Sequence, residues 1–103
     1  MITISSQIDR IEKIVKEKID NKDYTVYVSP PFEIDGIEYQ VVLDGHHSLE
    51  AAQQQSICPE YIVMDDSDHD AIEYLDNGDT DSFLEAAYID CQYYDVETLN
   101  PAF

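Results

Sequence analysis

The sequence predicts a small α+β domain, in which a short mixed sheet is combined with an N-terminal amphipathic helix and several short helices. The chain has 103 residues, 44% of them hydrophobic, which suits one domain with one modest core. Predicted helices and strands are interspersed without a regular βαβ repeat, and this favours the α+β class. Asp35-Gly36 lies between two apolar runs and is a strong hairpin signal. We therefore expect residues 1–103 to form a single acidic α+β domain.

The N-terminal segment is predicted to form the amphipathic helix, from about residue 6 to 19. Ser6 followed by Asp9 resembles a capping box, which satisfies backbone N–H groups at a helix start. Apolar residues then recur at helical spacing, namely Ile4, Ile8, Ile11, Val15 and Ile19. The opposite face carries mixed charge, as expected for a solvated helix.

Strands and short helices are predicted along the rest of the chain. The strands are expected at 24–28, 32–34, 37–43, 60–64 and 89–96, where β-prone or apolar residues are bounded by turn residues. Helices are expected at 47–55, around 71–75 and around 83–88. Ser67 with Asp70 is a cap signal for the second of these, and Asp79 or Thr80 for the third.

Charge is the most unusual property of the composition. The chain has five Lys and Arg residues and 23 Asp and Glu residues, which gives a formal net charge of −18. All five cations lie in the first 22 positions, namely Arg10, Lys13, Lys16, Lys18 and Lys22. Residues 23–103 contain 19 acids and no Lys or Arg. Such a field repels free nucleic acid and anionic membranes, and it attracts basic protein surfaces.

The sequence also indicates where the protein works. It has no apolar run of about 20 residues and no basic-then-apolar signal at its N-terminus, so we expect it in the cytoplasm of a host cell. Cys58 and Cys91 are expected to remain reduced there, because intracellular thiols rarely form structural disulfides.

Residues Phe32 to Met64 carry a family resemblance. The hairpin FEIDGIEYQVVL is followed by DGHHSLEAA and then by PEYIVM. This order resembles the ParB/sulfiredoxin-like superfamily, whose members often show a strand ending in DGHHR, a helix and a short strand. The resemblance covers about a third of the chain. It implies a small ParB/sulfiredoxin-like fold and an anion site, in a family that includes DNA-segregation CTPases, kinases, nucleases and sulfiredoxins.

The turn at the centre of this motif has a clear physical chemistry. Gly45 allows a tight turn, and the helix that follows presents free N–H groups and a positive dipole end to an anion. Ser48 stands where the family's phosphate-binding Arg is expected, and a hydroxyl cannot make a bidentate ionic contact. His46 and His47 diverge by about 100° on a helix and do not chelate one metal easily.

Two interpretations of this turn stay open: a structural element, or a weak anion or nucleotide site formed by Gly45, His46, His47 and Ser48. The second would make the chain a ParB-like nucleotide-binding enzyme or nuclease that uses Gly45, His46 and His47.

The most acidic stretch runs from residue 65 to 81. It contains eight acids, namely Asp65, Asp66, Asp68, Asp70, Glu73, Asp76, Asp79 and Asp81. The first part imitates a calcium-binding EF-hand loop, but Ala71 replaces the turn Gly and Asn77 the bidentate Glu, so no metal and no other cofactor is expected. Acids at helix starts can act as caps. The others are spaced on a scale similar to nucleic-acid phosphates.

These observations favour a binding protein over an enzyme. We expect an acidic inhibitor that mimics nucleic acid and blocks a basic DNA- or RNA-binding surface of a host defence or nucleic-acid-handling complex, with the eight acids as its partner-binding surface. In composition the chain resembles phage-borne inhibitors such as anti-CRISPR and anti-restriction proteins, which implies a CRISPR effector as one candidate partner. No catalytic residue and no direct nucleic-acid or membrane binding is expected. An antitoxin that neutralises a basic toxin would show the same electrostatics.

Overall fold

The computed structural model describes residues 1–103 and confirms the α+β class, with four helices and six strands. In chain order these are β1 (Ile2–Ser5), α1 (Glu12–Asp20), β2 (Thr25–Val28), β3 (Phe32–Ile34), β4 (Ile37–Asp44), α2 (His46–Gln54), β5 (Glu60–Val63), α3 (Ile72–Asp76), α4 (Thr80–Ala87) and β6 (Tyr94–Asp95).

Strand β4 is the centre of a six-stranded mixed sheet with the order β5-β2-β4-β1-β6. β1 pairs with it in parallel on one side, and β2 and β3 pair with it antiparallel on the other. Tyr39 and Val41 point to one face of β4 and Val42 to the other, and all three are buried. β4 is therefore covered on both faces, which explains why its second half contains the continuous apolar run Val41, Val42 and Leu43.

The Asp35-Gly36 hairpin prediction is confirmed. Asp35 has φ 51° and Gly36 has φ 82°, the two positive values that a type I′ turn requires. The turn brings Ile34 opposite Ile37. Pro30 and Pro31 separate β3 from β2. Just before them, Ser29 continues the pairing with β4, because its N–H donates to the Val41 carbonyl at 2.8 Å. Both strands thus lie along the same side of β4.

Each face of the sheet has its own hydrophobic core. On one face, α3 and α4 contribute Ile72 and Phe83, which pack with Ile4 and Phe32 of the sheet. On the other face, Leu49 of α2 packs with valines of β2 and β4, and with Tyr94 and Val96. Helix α1 lies against α2. The helices therefore form layers on both sides of the sheet, with α1 and α2 opposite α3 and α4.

The N-terminal prediction was wrong in its boundaries. Residues 2–5 form a strand and α1 begins at Glu12, not near residue 6. Parallel pairing with β4 buries Ile4 completely, whereas a helix there would leave that side of β4 unpaired. Ser6 does not cap α1, because its hydroxyl accepts a hydrogen bond from the Ile89 N–H at 2.9 Å.

The later elements follow the sequence more closely. Asp79 caps α4 as predicted, accepting from the Ser82 N–H at 3.1 Å. Ser67 does not cap α3, which begins at Ile72 after a turn. The predicted closing strand 89–96 is reduced to Tyr94–Asp95, because residues 89–91 instead hydrogen-bond to Ser6.

Two further structural facts bear on the setting of the protein. None of the four helices combines the length and the apolar character needed to cross a membrane. Cys58 is exposed, Cys91 is partly buried, and both thiols are unpaired.

Gly45 joins β4 to α2 under two constraints. Its φ is +90°, and a Cβ at this position would lie 2.7 Å from the Thr25 carbonyl oxygen and 3.0 Å from the Val26 Cα. Both atoms belong to the backbone of β2 and cannot move aside cheaply. The tight approach of α2 to the sheet therefore depends on the absence of a side chain here.

We expect Gly45→Ala to lower the free energy of unfolding by about 2–4 kcal/mol, since it adds backbone strain and a backbone clash. Gly78→Ala is the matched control, because Gly78 also has positive φ, +75°, but has no atom within 4 Å of its Cβ position. The control should lose only about 1 kcal/mol. Urea unfolding of both variants tests this, and equal losses would contradict the close-approach argument.

Candidate functional site

The eight predicted partner-binding acids are all exposed. We call them the acidic ridge. They lie in the turn after β5, along α3, and across the junction into α4. They are therefore distributed over two short helices and a turn rather than along one helix, on the side of the sheet that α3 and α4 cover. They are Asp65, Asp66, Asp68, Asp70, Glu73, Asp76, Asp79 and Asp81.

Three carboxylates of the ridge also shape its backbone. Asp65 accepts hydrogen bonds from the Ser67 hydroxyl and N–H, and these bonds lower the pKa of Asp65. Asp68 accepts from the Asp65 N–H at 3.0 Å. Asp79 caps α4, and its bonds with Ser82 lower the pKa of that carboxyl. These acids form turns that no other side chain supports.

The carboxylates of the remaining five ridge acids accept no hydrogen bond within the protein. They are Asp66, Asp70, Glu73, Asp76 and Asp81. The structure contains one salt bridge, Lys18 with Asp23 at 3.0 Å, and it lies outside the ridge. Nothing within the protein neutralises the ridge, and its charge is directed to solvent. The structure also contains no group of three or more metal-binding side chains.

A shallow cleft of about 630 Å³ opens within the ridge. Asp70, Glu73 and Tyr74 line it together with His69, Asn77 and Ala86. Tyr74 is exposed there. Two carboxylates beside an exposed aromatic ring are suited to an arginine side chain, which can pair with the acids and stack on the ring.

The turn at Gly45 is closed by the protein itself. Its N–H donates to the Asp44 carboxylate at 2.7 Å, so a negative charge of the protein lies next to the start of α2. His46 is only 4% exposed, and its Nε2 has no hydrogen-bond partner. Burial is the main reason that the pKa of His46 is lowered to about 4, and the nearby Arg10 guanidinium adds to it. His46 is therefore a neutral residue of the interior.

His47 has a structural task that its position in the sequence does not reveal. Its Nε2 accepts a hydrogen bond from the Ile11 N–H at 3.2 Å, and Ile11 is the residue before α1. No side chain within the N-terminal segment caps this helix, so α2 supplies the acceptor. Partial burial lowers the pKa of His47, with further contributions from Arg10 and Lys18.

Ser48 is buried and cannot offer its hydroxyl to a free ligand. It lies near Asp23, whose pKa is lowered first by Lys18, then by the Thr25 N–H, and also by Ser48. Local sequence patterns do not indicate this cluster, because its members come from α1, the loop after it, β2 and α2. A carboxylate of the protein thus lies beside Ser48.

Arg10 is the cation that comes closest to the turn, and sequence reasoning did not single it out for this role. Its guanidinium donates to the carbonyls of Gln7 at 2.9 Å and Asp9 at 3.1 Å, and to the Tyr94 hydroxyl at 3.2 Å. Its Nε is buried without a partner. The Tyr94 bond holds the N-terminal segment to β6, and the three bonds together engage both terminal nitrogens of the guanidinium within the protein.

A second cavity, of about 440 Å³, lies beside Arg10. It is bounded by α2 through Leu49 and Gln53, and by the C-terminal segment through Tyr94 and Val96. The lining is mostly apolar, and the partly buried Cys91 thiol borders it, with a pKa raised mainly by burial. The cavity separates the N-terminal segment from the last residues of the chain.

Comparison of the chain with protein-family models, curated proteins and solved structures finds no match. The ParB/sulfiredoxin-like resemblance and the anti-CRISPR-like character therefore stay predictions.

We expect the buried His46 to make stability depend on pH. The unfolded imidazole binds a proton near pH 6.5 and the folded one near pH 4. The unfolded state therefore binds more protons between these values, and stability falls as pH drops through this range, by up to about 3 kcal/mol.

His46→Phe is the comparison that isolates this effect, because all carboxylates are common to both proteins. Urea unfolding at about pH 7 and pH 4.5 should show the wild type losing stability relative to the variant. Parallel pH dependences in the two proteins would contradict the assignment of a neutral, buried His46.

Proposed function

We propose that the protein is an acidic inhibitor that mimics nucleic acid and blocks a basic DNA- or RNA-binding surface of a host defence or nucleic-acid-handling complex. The observation that carries the proposal is the acidic ridge, eight exposed carboxylates without a cationic partner. The protein would act in the host-cell cytoplasm by binding, without catalysis or a cofactor. An anti-CRISPR-like protein acting on a CRISPR effector is one form of this function.

The distribution of charge over the fold supports the proposal. All five cations lie within the first 22 residues. Arg10 precedes α1, three lysines lie within it, and Lys22 follows it. Helix α1 packs on α2, on the opposite side of the sheet from α3 and α4. The ridge therefore lies far from the protein's own positive charge. A field of one sign on one face steers association with a surface of opposite sign.

The chemistry of the ridge also supports a partner rich in Arg and Lys. Helical acids three or four residues apart are about 5–6 Å from each other, close to the scale of phosphate spacing along a nucleic-acid strand. Glu73 and Asp76 have this relation on α3, and Asp70 is three residues before Glu73. The cleft beside Tyr74 adds a place for one cationic side chain.

The alternative, a ParB-like nucleotide-binding enzyme, receives less support. Asp44 bonds the Gly45 N–H, His46 and Ser48 are buried, and Arg10 is engaged in three hydrogen bonds. A phosphate group would therefore meet the Asp44 carboxylate, and the nearby Arg10 guanidinium already donates three hydrogen bonds within the protein. Calorimetric titration with a nucleoside triphosphate and Mg²⁺ should give no heat of binding, and a clear binding isotherm would favour the enzyme instead.

The test of the inhibitor function is a triple variant that removes three ridge charges, Asp70→Asn/Glu73→Gln/Asp76→Asn. None of these side chains accepts a hydrogen bond in the protein, so the fold should persist. Since an exposed ion pair contributes about 0.2–1 kcal/mol, the variant should bind its partner roughly tenfold more weakly. Partners are captured from a bacterial host lysate at about 0.05 M salt and should be released as the salt concentration rises.

The matched control is Asp9→Asn/Glu17→Gln/Asp20→Asn, which removes the same number of charges from exposed positions in the N-terminal region. This control should bind nearly as tightly as the wild type. The captured partner should also bind a DNA or RNA oligonucleotide in competition with the protein. Equal weakening by both triple variants, or simultaneous binding of protein and oligonucleotide, would contradict the proposal.

A further inference from the structure

The sheet has one open edge of appreciable length, at β5. This strand is terminal in the sheet and pairs only with β2, in parallel. The other terminal strand, β6, has two residues, and a bridge from Tyr94 to Pro101 covers part of it. The residues of β5 are all exposed.

The backbone of β5 places free hydrogen-bonding groups on that edge. Glu60 donates its N–H to the Tyr24 carbonyl at 3.0 Å, and Met64 donates to the Val28 carbonyl at 2.8 Å. Because successive residues of a strand point their N–H and C=O groups to opposite edges, Tyr61 and Val63 direct theirs away from the sheet. These groups are the template for one more strand.

The side chains around this edge are apolar and exposed. Tyr61 and Ile62 are each 39% exposed, and Val63 is 57% exposed. Ile57, in the loop before β5, is also exposed. Natural proteins usually protect such an edge with Pro, Lys or a bulge within the strand, and β5 contains none of these. An uncovered apolar edge of this kind is typical of a binding surface.

The charges near β5 indicate which occupant fits. Glu60 begins the strand, and Asp65 and Asp66 follow it, at the start of the acidic ridge. No Lys or Arg occurs anywhere from residue 23 to the end of the chain. A second copy would bring another net charge of −18 to the same edge, and this opposes pairing between copies. A cationic segment is instead attracted.

We propose that the β5 edge accepts an extended, basic segment of a partner protein as an added strand. Tyr61 and Val63 share one face of the sheet, and Glu60 and Ile62 share the other. The segment therefore alternates apolar residues, which pack beside Tyr61 and Val63, with Lys or Arg on the face of Glu60. Its backbone pairs with the outward groups of β5. This inference deepens the proposed function and rests on it for the positive charge of the partner.

The first experiment uses a synthetic seven-residue peptide of alternating Lys and Val as the probe. Its control has the same sequence with every backbone nitrogen methylated, which keeps the charge and side chains but removes the N–H donors. The unmodified peptide should shift the amide resonances of Tyr61 and Val63 and slow their hydrogen exchange. The methylated peptide should produce neither effect at β5, because a strand cannot pair without its N–H groups.

The second experiment changes the edge itself. Val63→Pro removes an outward N–H and leaves the bonds from β5 to β2, so the variant should fold, since Pro is tolerated where the N–H of an edge strand faces solvent. Val63→Ala keeps the N–H and is the control for the lost side chain. The peptide should bind Val63→Pro roughly tenfold more weakly than Val63→Ala. If Val63→Pro fails to fold, the comparison of the two peptides still decides the question.

Three outcomes would overturn this inference or separate it from the proposed function. Equal binding of both peptides, with shifts confined to the acidic ridge, would overturn strand addition and leave the inhibitor function standing. Slowed exchange at Tyr61 and Val63 without peptide, together with dimers in sedimentation, would overturn it in favour of a second copy. Strand addition that persists while the ridge triple variant keeps full partner binding would support the β5 site and contradict the nucleic-acid mimic.

Discussion

The scarcity of cations is the constraint on which the rest of this structure depends. No Lys or Arg occurs from residue 23 onward. Apart from Asp23, which pairs with Lys18, a carboxylate there has two stable environments, bulk water or a set of hydrogen-bond donors within the protein. The fold supplies the donors locally, as Ser67 does for Asp65 and Ser82 for Asp79. Its stability then has to come from apolar packing on two faces of one sheet, because ion pairs contribute little and mutual repulsion opposes compaction.

The same constraint explains why the interior of the Gly45 turn is neutral. A working phosphate site needs at least one free cation, and the single arginine of the chain is committed to Gln7, Asp9 and Tyr94. The two histidines that the sequence offers as candidates for chemistry have structural roles. His46 packs in the interior, and His47 accepts a hydrogen bond from the N-terminal segment. The eight carboxylates of the acidic ridge lie on the opposite side of the sheet, where they face solvent without a cationic partner.

Local signals made most of the fold predictable. The Asp35-Gly36 hairpin needs positive φ at two consecutive residues, and few other sequences allow it, while the Asp79 cap depends on a contact three residues away. The wrong predictions lie where contacts between residues far apart in the sequence determine the secondary structure. The position of Ile4 in the sequence is compatible with a helix and with a strand. It lies in a strand because the segment pairs in parallel with β4. The exposure of the ridge followed from its composition, whereas the positions of Arg10, Asp23 and Tyr94 around the turn depend on pairings that the local sequence does not encode.

The hydrogen bond from Ile11 to His47 has a consequence for the order in which the chain assembles. A nine-residue helix is shorter than the about 12–15 residues that isolated helices need in water, and α1 has no cap of its own. Its first turn is completed by an acceptor that exists in place only after α2 has docked on the sheet. We therefore expect the first turn of α1 to be completed only after α2 has docked on the sheet. The one helix of the protein that contains lysines is thus held in position by α2.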